Sequence, residues 1–234
     1  MKKHIPNSIT CCNLICGCIA AYFALQPVAR YDLALYFIVG GAVFDFFDGF
    51  AARLLGVSSP IGKELDSLAD DITFGLAPAS IVFSLLRETL PVVVDVTTAS
   101  WLPFVAFLIA AFSALRLAKF NLDERQTTSF IGLPTPANAL FWAALAVGTH
   151  DWMTTTDYSA WIILAAIPLS CWVLVAEIPM FALKFKNFSI KDNVLRYGFI
   201  ALSALMIALL GLTALSLIIV IYILLSVTVG RKTH

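Results

Sequence analysis

Charged residues are scarce in this sequence. Asp, Glu, Lys and Arg make up 13% of the 234 residues, whereas soluble domains usually carry about 25%. Apolar residues make up 60%, and the mean hydropathy is +0.91. This balance excludes an ordinary soluble domain and indicates an integral membrane protein.

An excess of charge of either sign is also lacking. The 15 basic residues balance the 15 acidic ones, so nothing suggests a nucleic-acid partner. A disulfide framework is not indicated either, because Cys11, Cys12, Cys16 and Cys18 lie in one apolar segment, far from Cys171. These four do not share one helical face, which argues against a metal or redox site made of them.

Apolar runs recur along the whole chain and predict an all-α bundle of transmembrane helices. Separating these runs at charges and turn residues gives about eight spans, at residues 10–25, 32–54, 66–86, 101–120, 136–149, 158–183, 195–210 and 212–229. The last two require a hairpin near Gly211, because one helix over residues 197–229 would be about 50 Å long and the hydrocarbon core is about 30 Å thick. Six or seven spans remain an alternative.

The positions of the basic residues predict how the bundle is oriented. With eight spans, thirteen of the 15 Lys and Arg residues fall on one side, and only Arg30 and Arg87 fall on the other. The richer side is expected to be cytoplasmic, which places both termini in the cytoplasm. We interpret Lys2 and Lys3 as flanking a retained first helix, as in a prokaryotic inner-membrane protein.

Four aspartates interrupt the apolar sequence at the predicted cytoplasmic ends of the second and third helices. Asp45 and Asp48 are three residues apart, and Asp66 and Asp70 are four apart. Each pair therefore shares one helical face. The connecting loop is rich in Gly, Ser and Pro and lets the two helices approach, so we expect the two pairs to converge.

Four converging carboxylates need compensation, because each buried charge costs at least ~2.5 kcal/mol at mid-membrane. Arg53 and Lys63 cannot supply it alone, whereas two divalent cations would neutralise all four charges. The ligands are all oxygen atoms, which favours Mg²⁺ or Mn²⁺ over zinc and, with it, a phosphate-bearing substrate. The alternative is that these aspartates cap helices or form ion pairs with Arg53 and Lys63.

The pattern DxxDGxxAR, followed after eight residues by GxxxDxxxD, resembles the signature of the CDP-alcohol phosphatidyltransferase family. Its fixed positions are met by Asp45, Asp48, Gly49, Ala52, Arg53, Gly62, Asp66 and Asp70. The resemblance implies that the four aspartates bind two divalent cations, Mg²⁺ or Mn²⁺, and that Asp70 also acts as general base. It implies that the CDP and phosphate pocket is lined by Gly49, Ala52, Arg53 and Gly62, and by Asn7, Thr10 and Asn13 of a PNxxTxxN motif typical of the family's first helix.

Three further segments, residues 67–78, 115–121 and 130–139, are similar to the phosphatidylserine synthases of this family. Thr73 and Lys119 depart from that subgroup, where Ser and Arg are commoner. Arg116, Lys119 and Asn121 are the expected acceptor-binding residues, since Arg binds a carboxylate through paired hydrogen bonds. Alternatively, Arg116 and Lys119 are cytoplasmic anchors that meet lipid headgroups.

The resemblance therefore implies transfer of a phosphatidyl group from CDP-diacylglycerol to L-serine with release of CMP. It implies a six-helix catalytic core over residues 1–190, followed by a C-terminal transmembrane hairpin over residues 191–234 in the same membrane domain. Expected partners are the two substrates, membrane lipids and a second copy of the chain. The alternatives are a family member with a glycerol phosphate or inositol acceptor, and a cation-coupled transporter, whose carboxylates would be spread through the membrane depth.

Overall fold

The computed structural model describes residues 4–57, 59–123, 130–180, 189 and 193–230. Eight of the basic residues used to predict the orientation lie outside the described residues, namely Lys2, Lys3, Arg125, Lys184, Lys186, Lys191, Arg231 and Lys232. The predicted boundary between residues 190 and 191 also lies outside them. Both the orientation and this boundary stay predictions.

The described chain is almost entirely helical. Its first half contains α1 His4–Ala24, α2 Tyr31–Leu55, α3 Pro60–Asp70, α4 Ala77–Thr89, α5 Val96–Trp101 and α6 Leu108–Leu122. Its second half contains β1 Phe130–Ile131, α7 Thr135–Thr155, α8 Ser159–Val175, β2 Pro179–Met180, α9 Val194–Leu210 and α10 Ala214–Gly230. Short 3₁₀ turns at Leu90–Val92, Leu102–Phe107 and Gly211–Thr213 connect some of these helices.

A wide π turn over Asp71–Leu76 joins α3 to α4 into one continuous rod. Pro78 accounts for this turn, because proline has no N–H to donate and its ring would press on the carbonyl of Phe74 in a regular helix. Within the turn, the Ala77 N–H bonds to the carbonyl of Ile72, five residues earlier. The regular helix therefore ends at Asp70, the last of the four aspartates, and π turns are frequent at functional sites.

Close packing of α1 and α2 against the π turn positions the site. A Cβ atom added to Gly17 of α1 would lie 2.5 Å from Thr73 Oγ1, and one added to Gly41 of α2 would lie 2.5 Å from Thr73 Cγ2. The Thr73 hydroxyl also donates to the Asn13 carbonyl at 2.9 Å. Only glycine leaves room for this contact, one helical turn from Asp70.

The core lies between α2, α4, α6, α7 and α8. Its fully buried side chains include Trp142 of α7, with Ile38, Ile81, Ile109 and Ile163 from the other four helices. These helices therefore hold one another in a single apolar cluster, to which Ala20, Ala21 and Ala24 of α1 also belong.

Five stretches of the described residues are long and apolar enough to cross a membrane. They are His4–Ala24, Tyr31–Leu55, Pro60–Thr89, Val96–Leu122 and Val194–Thr228. The last stretch turns back at Gly211, whose φ is +64°, and the rings of Phe199 and Tyr222 meet with centroids 6.0 Å apart. The protein is an all-α polytopic membrane protein in which α9 and α10 are joined by a turn at Gly211, and the count of eight spans stays a prediction.

Several predicted helix ends were wrong by five residues or more, at the starts of the first, third and fourth spans and at the ends of the fifth and sixth. The third span was expected to begin at Asp66 but α3 begins at Pro60, because the Ser59 hydroxyl caps it by accepting from the Gly62 N–H at 3.0 Å. The sixth span was expected to reach residue 183, yet α8 ends at Val175. Pro179 disfavours a helical residue before it, and the chain instead runs as β2, antiparallel to β1.

Candidate active site

Three of the four predicted aspartates form one cluster. Asp45 and Asp48 lie near the end of α2 and Asp66 lies on α3, and one carboxylate oxygen from each is within 4.8 Å of the others. Asp48 is 6% exposed, and the other two are partly buried. The side-chain oxygen Asp66 Oδ1 is buried and has no hydrogen-bond partner among the described residues.

The basic residues nearby in sequence do not neutralise this cluster. Within the described part of the chain, no Lys or Arg forms an ion pair with the three aspartates. Lys63 Nζ instead donates to the Asn121 carbonyl at 3.2 Å, and Arg53 is exposed. Since Ser59 caps α3, the alternative of helix caps and ion pairs is not supported.

Thr10 connects α1 to the cluster. Its hydroxyl donates to Asp48 Oδ2 at 2.6 Å, a short charge-assisted hydrogen bond, and both side chains are buried. The bond holds the Asp48 carboxylate in one orientation. Thr10 therefore fixes an aspartate, besides its predicted place beside the nucleotide.

Asp70 stands apart from the three clustered carboxylates. Its Oδ1 accepts a hydrogen bond from Asn13 Nδ2 at 3.0 Å, so α1 also positions this residue. Asp45 and Asp66 are near enough to repel it electrostatically, and Arg116 is near enough to attract it. Asp70 therefore has an amide donor and a nearby guanidinium in its surroundings, in addition to other carboxylates.

A cavity of about 240 Å³ opens beside the cluster, between the start of α1, the end of α2 and the start of α3. We call it the cluster cavity. Five of the seven residues predicted for the CDP and phosphate pocket line it, with Asp48 and Asp66; the five are Asn7, Thr10, Gly49, Ala52 and Gly62. A Cβ atom on Gly62 would lie 3.2 Å from Asn7 Oδ1, so glycine keeps the cavity open there.

The remaining two predicted pocket residues do not line the cluster cavity. Arg53 is exposed on the last turn of α2, and Asn13 lies deeper, where it holds Asp70. Sequence reasoning missed Ser59, which does line the cavity. The Ser-Pro pair at 59–60 is a helix-start signature that could have identified it.

The predicted acceptor residues divide into two kinds. Arg116 of α6 is only 6% exposed, lies 5.3 Å from the centre of the Phe120 ring and is near Asp70, which is unlike a lipid-headgroup anchor. Asn121 Nδ2 donates to Ser67 Oγ at 2.7 Å and so contacts α3. Lys119 is exposed and fits the anchor alternative.

Tyr222 of α10 was not predicted from the sequence. It is near enough to Arg116 for an electrostatic interaction, so the C-terminal hairpin reaches the side of the site that carries Arg116. No pattern within the apolar run of α10 distinguishes this tyrosine, and only the packing of α10 against the bundle identifies it.

The donor atoms of the cluster suit a hard divalent cation. Three carboxylates supply oxygen ligands from two rigid helices, and the lone pairs of Asp66 Oδ1 are unused by the described residues. Neither His nor Cys belongs to the cluster, which disfavours zinc. The residues present therefore fit an Mg²⁺ or Mn²⁺ ion.

The family model of CDP-alcohol phosphatidyltransferases matches residues 3–172. The chain belongs to the CDP-alcohol phosphatidyltransferase family. This confirms the resemblance predicted from the aspartate signature. The matched part contains all four aspartates, the cluster cavity and Arg116, whereas Tyr222 lies beyond it.

Three relatives of this chain carry the name CDP-diacylglycerol--serine O-phosphatidyltransferase. The chain is 39% identical over 138 residues to the Bacillus subtilis protein, covering 57% of this chain and 70% of that one. It is 30% identical over 199 residues to the Mycobacterium leprae protein, covering 77% and 63% respectively. For the Saccharomyces cerevisiae protein the identity is 34% over 151 residues, covering 57% and 50%.

Proposed function

We propose that this protein transfers the phosphatidyl group of CDP-diacylglycerol to L-serine, forming phosphatidylserine and CMP. The observation that carries the proposal is the cluster of Asp45, Asp48 and Asp66 at the wall of the cluster cavity, in a chain of this family. The shared name of the relatives supports serine as the acceptor.

The cluster and the cavity are suited to the nucleotide end of the substrate. The four aspartates would hold two divalent cations, Mg²⁺ or Mn²⁺, which when bound draw negative charge away from diphosphate oxygens. Asn7, Thr10, Gly49, Ala52 and Gly62 would line the space for CDP, since they surround the cluster cavity. Arg53 at its edge would meet an outer phosphate or the nucleotide.

Asp70 would be the general base. It would accept the proton of the serine hydroxyl while that oxygen forms a bond to the phosphorus bearing diacylglycerol, and the bond to CMP breaks. Asn13 would orient the carboxylate through its hydrogen bond of 3.0 Å. The separation of Asp70 from the three clustered carboxylates supports a role beyond metal binding.

Arg116 would bind the serine carboxylate. It is the buried basic side chain near Asp70, and a guanidinium can donate two parallel hydrogen bonds to a carboxylate. Asn121 would contact the serine acceptor from the same side of the site. Its hydrogen bond to Ser67 of α3 would hold its side chain in place there. Lys119 is retained as an acceptor-side residue of secondary importance.

We further propose a homodimer in a prokaryotic inner membrane, with the active site and both termini facing the cytoplasm. The aspartates lie within about 15 Å of the end of α2 and of the start of the rod that α3 and α4 form, so they cluster toward one end of the bundle. That arrangement suits a substrate arriving from one membrane face. It does not suit a transporter, whose carboxylates would be spread through the membrane depth.

The test is CMP release by the purified protein supplied with CDP-diacylglycerol, Mg²⁺ or Mn²⁺, and one alcohol at a time. We expect release with L-serine and none above the water background with glycerol 3-phosphate or inositol. Asp48→Asn is the matched control, since it should abolish release with every acceptor. Release with glycerol 3-phosphate but not with serine would overturn the proposal.

A further inference from the structure

A second, larger cavity of about 800 Å³ lies between α7, α8 and α10. We call it the α10 cavity. Cavities of about 300 to 1,000 Å³ typically enclose small-molecule ligands. Its walls are apolar, formed by residues such as Phe141, Leu169, Val173, Val220 and Leu224, and the polar exceptions are Asn138, Ser170, Glu177 and Ser226.

One polar group in this cavity has an orientation fixed by its neighbours. The Trp142 indole N–H donates to Ser170 Oγ at 3.0 Å, and the Ser170 hydroxyl donates to Asn138 Oδ1 at 2.7 Å. Because an indole N–H can only donate, this chain of bonds runs in one direction and turns the Asn138 oxygen toward Ser170.

The other end of the Asn138 amide is left without an acceptor. Asn138 is 1% exposed, and its Nδ2 has no hydrogen-bond partner among the described residues. A buried donor without a partner is destabilising unless a ligand or water supplies an oxygen. The α10 cavity, which Asn138 lines, is the space from which such an oxygen would come.

The cavity runs along the bundle axis with polar groups nearer one end. On α10 its lining extends from Val220 to Val227, which corresponds to about 10 Å of helix. Glu177 lies beyond the end of α8, whereas Ala166 lies about three turns deeper. Asn138 and Ser170 lie between these two ends. The cavity therefore has the Asn138 hydrogen-bond donor nearer the Glu177 end and only apolar walls deeper in the bundle.

The end with Glu177 faces the same side as the aspartates. The end of α6 is joined to the start of α3 by the contact between Lys63 and Asn121. The approach to α7 is joined to the end of α8, since the Gly132 N–H donates to the Ile178 carbonyl at 2.9 Å. The polar end of the α10 cavity therefore lies at the active-site end of the bundle.

A series of neighbouring side chains connects the aspartates to the wall of the α10 cavity. Arg116 is near enough to Asp70 and to Tyr222 for an electrostatic interaction with each of them. Tyr222 packs against a group that includes Leu133 and Val173, which line the α10 cavity. A lipid with its phosphates at the aspartates could thus extend an acyl chain past Arg116 into this space.

We propose that the α10 cavity holds one acyl chain of the CDP-diacylglycerol substrate, with the chain's ester carbonyl accepting a hydrogen bond from Asn138 Nδ2. The inference rests on the proposed function for the identity of that substrate. A helix of a second copy is a poorer occupant, because its backbone carbonyls are already bonded within the helix. An ester carbonyl on a flexible chain meets both requirements of the cavity, an acceptor oxygen and an apolar tail.

A cavity-filling substitution tests the proposal by kinetics. Val220→Trp should raise the KM for dipalmitoyl CDP-diacylglycerol at least tenfold, while the KM for the dibutanoyl compound, whose chains are twelve carbons shorter, should change less than threefold. Leu217→Trp is the control, because Leu217 and Val220 are exposed to a similar extent on α10, 52% and 40%, and of the two only Val220 lines the cavity. Equal effects of both variants on the dipalmitoyl substrate would overturn the proposal.

A binding measurement separates this proposal from the serine transferase proposal. CDP-diacylglycerol with a photoactivatable acyl chain, added without serine, should crosslink within residues 166–179 and 220–227, and excess unlabelled CDP-diacylglycerol should suppress the crosslinks. Suppression by phosphatidylcholine to the same extent would overturn the proposal in favour of a general membrane lipid. A change of oligomeric state in Val220→Trp would overturn it in favour of an interface between copies. Crosslinks there without serine-dependent CMP release would refute only the transferase assignment.

Discussion

Thr10 and Asp48 form the shortest hydrogen bond that the structure shows at the aspartate cluster, with 2.6 Å between the two oxygens. Groups that orient metal ligands commonly change metal affinity about 10- to 100-fold when they are removed. We therefore predict that Thr10→Val raises the Mg²⁺ or Mn²⁺ concentration for half-maximal CMP release at least tenfold. Thr10→Ser keeps the hydroxyl and should remain within threefold of the parent, so an equal effect of both substitutions would contradict this role.

The substitution Asp70→Asn distinguishes the role of general base from that of metal ligand. Removing a general base typically costs about 10²- to 10⁴-fold in rate, so we expect the kcat for CMP release to fall by that factor. The metal concentration for half-maximal residual activity should move less than it does in Asp45→Asn, because Asp70 stands outside the three clustered carboxylates. Retention of full activity in Asp70→Asn would refute the assignment of the base.

At the scale of single residues, the sequence identifies those residues whose spacing alone places them on one helical face. Asp45 and Asp48 share a face because helical geometry requires it, and that part of the prediction needed no tertiary information. The distinct surrounding of Asp70 could not be predicted, since it depends on Asn13 and Arg116 from two other helices. Tyr222 could not be found for the same reason.

At the scale of secondary-structure elements, the contact of α1 and α2 with the π turn leads to a testable prediction. A Cβ atom on Gly17 would lie 2.6 Å from the Thr73 Cα, which is backbone and cannot move aside as a side chain could. Overpacking of this kind commonly costs about 1 to 3 kcal/mol. Gly17→Ala should therefore lower the thermal unfolding temperature in detergent and reduce activity, because Asn13 and Asp70 lie within about a turn of the contact.

Gly198→Ala provides the matched control for this substitution. Gly198 also lies inside a helix, but nothing lies within 4 Å of where its Cβ would be. Because alanine favours helix by about 1 kcal/mol over glycine, Gly198→Ala should leave the unfolding temperature unchanged or raise it. If both substitutions lowered it equally, the loss would reflect the helices themselves and not the contact with Thr73.

The apolar runs predicted that the helices exist. The helix ends depend on capping residues and on strand pairing, which the apolar runs do not reveal. The Ser59 cap and Pro60 start α3 earlier than the apolar pattern does. The end of α8 depends on the pairing of Phe130 with Met180, a contact between segments about 50 residues apart in sequence that no local pattern reveals. Pro78 removes one backbone hydrogen bond from the rod of α3 and α4, but the π turn that accommodates it was not predicted from the sequence.

At the scale of the whole molecule, the orientation in the membrane connects the site to its substrates. Val96 at the start of α5 and Leu122 at the end of α6 are 88% and 85% exposed, and they terminate one apolar stretch of 27 residues. At 1.5 Å per residue such a stretch is about 40 Å long, enough to cross the hydrocarbon core of about 30 Å. The two positions should therefore lie on opposite sides of the membrane.

Cysteine labelling of intact cells tests this orientation. The five native cysteines, two of which are exposed, would first be replaced by alanine in a variant checked for CMP release. In that background a membrane-impermeant maleimide should label Val96→Cys in intact cells, and it should label Leu122→Cys only after permeabilisation. Because the two positions are almost equally exposed, a difference between them reports the side of the membrane and not local burial. The reverse pattern would put the aspartate cluster on the outer face, away from cytoplasmic serine, and would contradict the proposed orientation.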